Sequence, residues 1–313
     1  MDFTLLEHTL DESLTLEEYS KKYGELSKIL LAIAEGAKKV SNELSFRVGM
    51  TQSLNPFGEK QAELDVFANE TFCKELLSCR VVGQVASEEL DSPRQANSPN
   101  LLEMLSVAMD PLDGSSNITT NNPLGSIFGV WRGAIPKAGR EQVGSAFVTY
   151  GPTLSLTFCF EKKVDQFVLV REGKNSGEFV LAYEKMKLPM KPEVYGFGGS
   201  RQEWIPQVEK FVEDLELRGM RLRYGGTFIG DYNQVLQRGG IFSYPALKNK
   251  PNGKLRIMYE TAPVSLITQS AGGYSSNGRI SILDIEPSGL TETSAFYTGN
   301  RELVLELEKE ING

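Results

Sequence analysis

Histidine is almost missing from this chain, because its 313 residues include only His8, in a polar leader. A histidine-based catalytic triad or a histidine-ligated metal site is therefore excluded, and acid–base or metal chemistry must use carboxylates. The three cysteines, Cys73, Cys79 and Cys159, show no metal-ligand spacing. We interpret them as buried small hydrophobic residues, and we expect a reducing, cytoplasmic location.

Long apolar runs and basic clusters are also missing. No stretch approaches the roughly 18–20 apolar residues that a membrane span needs. The acidic N-terminus has no continuous apolar core, so we expect neither a signal peptide nor a membrane partner. The net charge is −8 and no block of lysines and arginines occurs, which argues against nucleic acid as a partner.

The pattern of apolar residues predicts a change of organisation along the chain. Helical periodicity covers residues 14–44, with a break near Gly24, and residues 60–79. Runs of β-branched and aromatic residues then predict about six strands, and beyond about residue 185 strands and helices alternate. We therefore expect an α/β protein, α+β in its N-terminal half, with lobes at residues 1–185 and 186–313. The six strand-like runs are 80–89, 105–110, 126–131, 143–151, 153–161 and 165–170.

Acidic residues stand where predicted strands end. Glu88 and Glu89 close one strand, and Asp110 and Asp113 lie in "DPLDGSSN" at the end of another. If the two strands are neighbours, these carboxylates lie close together, and their repulsion calls for cations such as Mg²⁺, which prefers oxygen ligands. A lone Glu-Glu pair is usually solvated and a lone "DPLDG" is usually a turn. Their joint occurrence favours a metal and phosphate site.

The backbone of "DPLDGSSN" fits such a site. Pro111 fixes the turn, and the carbonyl of Leu112 becomes available as a neutral metal ligand. Gly114 frees the chain so that the amides of Ser115 and Ser116 can face an anion. A phosphate that bridges the metals and these amides is the expected occupant.

The same stretch resembles the Mg²⁺-dependent, Li⁺-sensitive phosphatase superfamily, which contains inositol monophosphatases and sugar bisphosphatases. The longer stretch "VAMDPLDGSSNITTNNPLGSIFGVW" narrows the resemblance to the class I fructose-1,6-bisphosphatase family and its relative sedoheptulose-1,7-bisphosphatase. Further motifs, among them "ASEEL" and "RLRYGGTFIGD", extend it over nearly the whole chain from about residue 20. The resemblance implies a layered αβαβα fold with two sheets and two lobes, Mg²⁺-dependent hydrolysis of the 1-phosphate of fructose 1,6-bisphosphate, and a homotetramer.

The resemblance also implies roles for the carboxylates. Asp65 and Glu89 match the pair that activates the attacking water, and Glu59 stands where the family has an aspartate on a mobile loop. Two or more Mg²⁺ ions per subunit are implied, with Mn²⁺ as an alternative ion. Their ligands match Glu88, Glu89, Asp110, the carbonyl of Leu112, Asp113 and Glu260.

Substrate-binding roles follow the same resemblance. Tyr224 and Tyr244 match tyrosines that hold the distal phosphate, which Arg223 reaches from a neighbouring subunit. Without the resemblance, both tyrosines would be read as core residues, and Lys254 and Arg256 as a solvated strand end. The whole set matched to substrate binding is Asp113, Gly114, Ser115, Ser116, Arg201, Arg223, Tyr224, Tyr244, Lys254 and Arg256.

Departures from the family pattern leave alternatives open. Gly198 replaces an asparagine that contacts the distal phosphate in fructose enzymes, and Arg201 is expected to make this contact instead. Sedoheptulose-1,7-bisphosphatase activity, or activity on both sugars, is therefore the alternative. Met104 and Leu105 replace basic and aromatic residues of the family's AMP site, which predicts weak or no AMP inhibition. Another phosphatase of the superfamily and a non-catalytic sugar-phosphate sensor are the rival functions.

Overall fold

The computed structural model describes residues 14–47, 50–54, 60–97 and 99–313, so Glu59 lies outside the described residues. A capping box starts the first helix: Thr15 Oγ1 accepts a hydrogen bond from the Glu18 amide (3.3 Å), and the Glu18 carboxylate accepts one from the Thr15 amide (3.2 Å). The predicted break in the helical pattern near Gly24 is present, because α1 ends at Ser20 and α2 begins at Glu25. The first elements are α1 (Leu16–Ser20), α2 (Glu25–Glu43), β1 (Met50–Leu54), β2 (Lys60–Ala62) and α3 (Glu63–Ser78).

An eight-stranded sheet follows, in the order β10-β9-β8-β7-β6-β5-β3-β4. All six predicted strands are present in it. The two additional strands, β4 and β10, lie at its edges, and β4 consists of two polar residues that carry no hydrophobic pattern. The strands are β3 (Val82–Ser87), β4 (Arg94–Gln95), β5 (Leu105–Asp113), β6 (Leu124–Arg132), β7 (Gln142–Tyr150), β8 (Leu154–Phe160), β9 (Lys163–Leu169) and β10 (Phe179–Tyr183).

Strands β3 and β5 are parallel neighbours, as the carboxylate pattern requires. Ser87 lies opposite Met109, and the amide of Glu88 donates to the Met109 carbonyl (3.1 Å). Contrary to the expectation that β5 stops where "DPLDGSSN" begins, the strand continues to Asp113. A shift of register opposite β6 between Asp110 and Asp113 accommodates Pro111, because a bulge does not need its amide for the ladder.

The C-terminal half contains a five-stranded sheet in the order β12-β11-β13-β17-β15. Its strand β17 is missing from the sequence prediction, although it pairs antiparallel with both β13 and β15. The elements are β11 (Val194–Phe197), α4 (Pro206–Leu217), β12 (Arg221–Leu222), α5 (Phe228–Arg238), β13 (Gly240–Tyr244), β14 (Leu255–Arg256), α6 (Ala262–Ser270), β15 (Tyr274–Ser276), β16 (Thr293–Ser294), β17 (Phe296–Gly299) and α7 (Arg301–Asn312).

The helices and sheets stack in five layers, which confirms the expected αβαβα fold. Helices α2 and α3 cover one face of the large sheet, with Phe72 in the core between them. Helices α5 and α6 lie between the sheets, where Tyr232 and Val264 are buried, and α4 and α7 cover the outer face of the small sheet through Phe211 and Leu307. Within the described ranges, no helix has the length and apolar character to cross a membrane.

Candidate active site

Three carboxylates meet where elements of both halves end. Glu88 follows β3, Asp110 lies on β5, and Glu260 lies on a π-helical turn (Ile257–Thr261) that leads into α6. One oxygen from each lies within 4.8 Å of the others, and all three side chains are buried or nearly so. The wide π-helical turn is a common feature of functional sites, and here it carries Glu260 against strands β5 and β6 of the large sheet.

Arg256 supplies positive charge to this cluster. Its Nη1 lies 2.6 Å from Glu88 Oε1 and 3.9 Å from Glu260 Oε2, and its backbone amide donates to Glu260 Oε2 (2.6 Å). The guanidinium is itself buried. Arg256 thus pairs with Glu88 and Glu260, and around Asp110 the charges of Glu88, Asp113, Glu260 and Glu89 add to an excess of negative charge among the described residues.

That excess appears in the pKa values of the aspartates. Burial, followed by the charges of Glu88, Asp113 and Glu260, raises the pKa of Asp110 well above its usual range. Burial raises the pKa of Asp113 to about 7, although hydrogen bonds from backbone amides of α5 oppose the rise. A buried set of oxygen donors with unbalanced negative charge fits a hard cation, so these residues form a cluster that could hold a metal ion.

The remaining predicted carboxylates surround this group. Asp65 is buried in the first turn of α3, where its Oδ2 accepts from the Ala62 amide (2.7 Å). Glu89 follows Glu88 and adds to the negative charge at Asp110. Leu112 is buried, and its amide donates to Asp110 Oδ1 (3.0 Å), which fixes the orientation of that carboxylate.

The segment after Asp113 forms a tight turn. Gly114 has φ = +83°, a left-handed conformation that favours glycine, and residues 115–117 form one 3-10 turn. Ser116 lies on the surface of this turn and faces a cavity, whereas Asn117 is buried. The turn thus joins the carboxylate cluster to the cavity.

The cavity has a volume of about 540 Å³, which suits a small sugar phosphate. Its walls come from both halves of the chain. The lining residues are Ser116, Gly198, Gly199, Glu203, Tyr224, Gly226, Tyr244, Pro245, Leu247, Asn249, Lys250 and Lys254.

Two tyrosines form one wall of this cavity. The hydroxyls of Tyr224 and Tyr244 lie 3.3 Å apart. Burial, then Tyr224, and then the charges of Asp113 and Glu260 raise the pKa of Tyr244, so the cavity adjoins the carboxylate cluster. The Tyr244 ring lies directly over Gly198, where an added Cβ would come within 2.5 Å of ring atom Cε1.

The predicted arginines are placed differently from the tyrosines. Arg201 Nε pairs with Glu209 (3.0 Å) and its Nη2 with Glu213 (2.5 Å), and Arg201 is not among the described residues that line the cavity. Its assignment to the distal phosphate stays a prediction. Arg223 Nη1 donates to the carbonyl of Leu222 (2.9 Å), beside Tyr224.

Several residues of the loop that follows β13 line the cavity although their role was not predicted from the sequence. Lys250 and Asn249 line the cavity, and Asn249 Nδ2 donates to Glu203 (3.0 Å). The signal was available, because "KNKPNGK" combines turn-forming residues with three lysines between Tyr244 and Arg256.

Fold and site together define a phosphatase, in which buried carboxylates adjoin a cavity with lysine and tyrosine groups for a phosphate ester. Comparison with family models makes this specific. The model of the fructose-1-6-bisphosphatase N-terminal domain matches residues 3–184, and that of the C-terminal domain matches residues 188–312. The chain belongs to the fructose-1,6-bisphosphatase family, which confirms the resemblance drawn from its motifs.

Individual relatives align with this chain over more than nine-tenths of their length. The class 1 fructose-1,6-bisphosphatase of Trichlorobacter lovleyi is 39% identical over 293 residues, which are 93% of this chain and 91% of the relative. That of Natronomonas pharaonis is 38% identical and covers 90% and 97%. Among solved structures, the holo form of Leishmania major fructose-1,6-bisphosphatase superposes with a TM-score of 0.88 at 30% identity, over 96% of this chain and 99% of that one.

Proposed function

We propose that the protein hydrolyses the 1-phosphate of fructose 1,6-bisphosphate to give fructose 6-phosphate and inorganic phosphate. The observation that carries the proposal is the junction of two features. A cavity of about 540 Å³ with tyrosine and lysine groups adjoins three carboxylates whose oxygens lie within 4.8 Å of one another. Phosphate recognition and charge compensation therefore occur at one place, as hydrolysis of a phosphate ester requires.

The carboxylate cluster is proposed to hold two or more Mg²⁺ ions, with Mn²⁺ as an alternative. When bound, such ions neutralise charge on the phosphate and the leaving oxygen and lower the pKa of water. The raised pKa of Asp110 supports this assignment, because a nearby cation would relieve the repulsion that causes it. The proposed ligands are Glu88, Glu89, Asp110, the carbonyl of Leu112, Asp113 and Glu260.

Asp65 and Glu89 are proposed to take the proton of the attacking water. In this step water oxygen forms a bond to phosphorus, the bond between phosphorus and the sugar oxygen breaks, and the sugar oxygen gains a proton. The anchored carboxylate of Asp65 supports the role, because its hydrogen bond from Ala62 fixes its orientation (2.7 Å). Glu59, which lies outside the described residues, is proposed to assist this step.

The substrate is proposed to span the cavity. Gly114, Ser115 and Ser116, next to Asp113, would hold the reacting phosphate, and Lys254 and Arg256 would contact the sugar. Tyr224 and Tyr244 would hold the distal phosphate, and their proximity at 3.3 Å supports a shared anion.

Arginines complete the proposed distal-phosphate site. Arg223 would reach the site of a neighbouring subunit in a homotetramer. Arg201 would have to leave Glu209 and Glu213 to reach the cavity. If an Arg201→Met variant has an unchanged KM, Arg201 does not contribute to binding of the distal phosphate.

Sedoheptulose 1,7-bisphosphate is the second candidate substrate, alone or beside the fructose ester. The observation that favours it is Gly198, which lines the cavity without a side chain where fructose enzymes have an asparagine, although the ring of Tyr244 fills the space over it. Tyr244, which covers Gly198, would then have to shift with the longer sugar.

Two lobes, residues 1–185 and 186–313, and a cytoplasmic location complete the proposal. The two family models, which meet between residues 184 and 188, support the boundary.

The three thiols Cys73, Cys79 and Cys159 are all free, and burial raises the pKa of each to about 11, which keeps them unreactive.

The test is phosphate release by the purified protein with Mg²⁺ on both bisphosphates, each with an EDTA control. Rapid, EDTA-sensitive turnover is expected, and the ratio of the two kcat/KM values identifies the preferred substrate. Glu89→Gln should still bind bisphosphate but lose turnover by about 10²–10⁴-fold, whereas Glu103→Gln, an exposed control, should match the unmutated protein. No turnover by the folded protein on either ester would favour another phosphate ester as substrate or the non-catalytic sensor function.

A further inference from the structure

A buried network joins two segments that both contribute residues to the lining of the cavity, Ser116 from one and Tyr224 and Gly226 from the other. We call residues 113–117 the phosphate turn and residues 223–227 the tyrosine loop. The side chain of Asn117 lies at their junction, and its Nδ2 donates to the carbonyls of Gly225 (2.9 Å) and Pro123 (3.2 Å) and to the hydroxyl of Thr227. Asn117 is nearly fully buried, so these hydrogen bonds are shielded from competing water.

The two segments also pack backbone against side chain, with a glycine on each side. A Cβ at Gly114 would come within 2.5 Å of Thr227 Oγ1, and a Cβ at Gly226 within 3.3 Å of Asn117 Oδ1. Both glycines have φ = +83°. Thr227 Oγ1 in turn donates to the Pro123 carbonyl (2.5 Å). Because the two segments are closely packed at this contact, a displacement of one backbone segment also displaces the other.

Two further carboxylates secure the tyrosine loop. Asp113 Oδ2 accepts from the Ile229 amide (2.6 Å), just beyond the loop. Asp231, on α5, accepts from the amides of Gly225 (2.7 Å) and Gly226 (3.2 Å). The loop therefore cannot move independently of the phosphate turn, and Asn117 contributes the side-chain hydrogen bonds that join the two segments directly, beside the Gly114–Thr227 contact and the Asp113–Ile229 hydrogen bond.

We propose that Asn117 is a positioning residue that couples the two phosphate subsites of the cavity. A phosphate held by Tyr224 fixes the tyrosine loop, and Asn117 transmits that constraint to Ser115 and Ser116 at the reacting phosphate. Binding energy from the distal end of the substrate is thereby used to orient the reacting end. The inference rests on the proposed function.

The test compares fructose 1,6-bisphosphate with fructose 1-phosphate, which lacks the distal phosphate. The quantity measured is the ratio of kcat/KM for the two esters. In Asn117→Ala we expect this ratio to fall by about tenfold, the equivalent of one buried hydrogen bond, with kcat for the bisphosphate reduced. Thr227→Val, which loses one member of the network, should shift the ratio in the same direction by a smaller factor. Asn122→Ala, at an exposed residue near the turn, should leave it unchanged.

The outcomes separate the inference from the function on which it rests. If Asn117→Ala and Thr227→Val reduce kcat/KM for both esters by the same factor, the network is merely structural and the coupling is wrong. If Asn117→Ala does not fold, as judged from its melting temperature, the ratio in Thr227→Val decides. If the unmutated protein hydrolyses neither ester, the proposed function fails and the inference falls with it.

Discussion

Replacing Gly198 with alanine should weaken substrate binding through the ring of Tyr244. The added Cβ would lie 2.5 Å from Cε1 and 2.6 Å from Cδ1 of this ring. Gly198 is not among the glycines with positive φ, so an alanine there strains no backbone angle. The whole effect must therefore come from the ring, which has to retreat by about 1 Å to reach ordinary van der Waals contact.

The size of the effect follows from what the retreat disrupts. Overpacking costs about 1–3 kcal/mol, and the loss of unfolded-state entropy on changing glycine to alanine offsets about 0.4–1 kcal/mol, so the free energy of unfolding should fall by at most about 2.6 kcal/mol. The Tyr244 hydroxyl, 3.3 Å from that of Tyr224, moves away from the distal phosphate. Partial loss of a hydrogen bond to a charged group should raise KM by about tenfold and change kcat less.

Steady-state kinetics and urea unfolding of four variants check this reasoning. Gly289→Ala is the matched control, because a Cβ there meets no atom within 4 Å. In a Tyr244→Ala background there is no ring to displace, so Gly198→Ala should change KM by less than about twofold. An unchanged KM in the single variant, or an undiminished effect in the double variant, would refute the reasoning.

Other predictions test the carboxylates and the regulation. Glu260→Gln removes one charged oxygen from the cluster and should raise the Mg²⁺ concentration for half-maximal activity by at least about tenfold, measured by metal titration of the activity. Burial raises the pKa of Asp231 to about 6, so the folded state binds more protons than the unfolded state between about pH 4 and 6 and stability falls as pH rises through that window. The difference in the free energy of unfolding between the two ends of this window should therefore be smaller by up to about 3 kcal/mol in Asp231→Asn, as measured by urea unfolding at both pH values. AMP should inhibit weakly or not at all, because Met104 and Leu105 stand where the family's AMP site has its basic and aromatic residues, and clear inhibition in the assay would contradict this.

The carboxylate cluster was predictable because it depends on strand ends. Glu88 and Asp110 follow buried apolar runs, and parallel pairing of neighbouring strands brings such ends together. The contribution of Glu260 could be predicted only from the family motif. Its approach to Asp110 depends on a π-helical turn, and no spacing of residues indicates where such a turn occurs.

Features that depend on long-range packing were not predictable. Strand β17 has no period of its own, and its pairing depends on β13 and β15, which arrive from different parts of the chain. Arg201 has charged neighbours at residues 209 and 213 because helix α4 turns back beside it. Asn117 reads in the sequence as one more turn residue, and only the fold shows that its side chain crosses to the tyrosine loop.

The carboxylates of the site are held more rigidly than the residues proposed to bind the distal phosphate. The metal-binding candidates Asp110 and Glu260 are buried on elements packed between other layers, so a substitution nearby has little freedom to rearrange them. The groups proposed for the distal phosphate are more exposed, with Tyr224 at 43%. Changes at Gly198 or Tyr244 can therefore alter which sugar fits without disturbing the carboxylates. Substrate range in this fold should accordingly evolve at the cavity wall, while the chemistry stays with the strand ends.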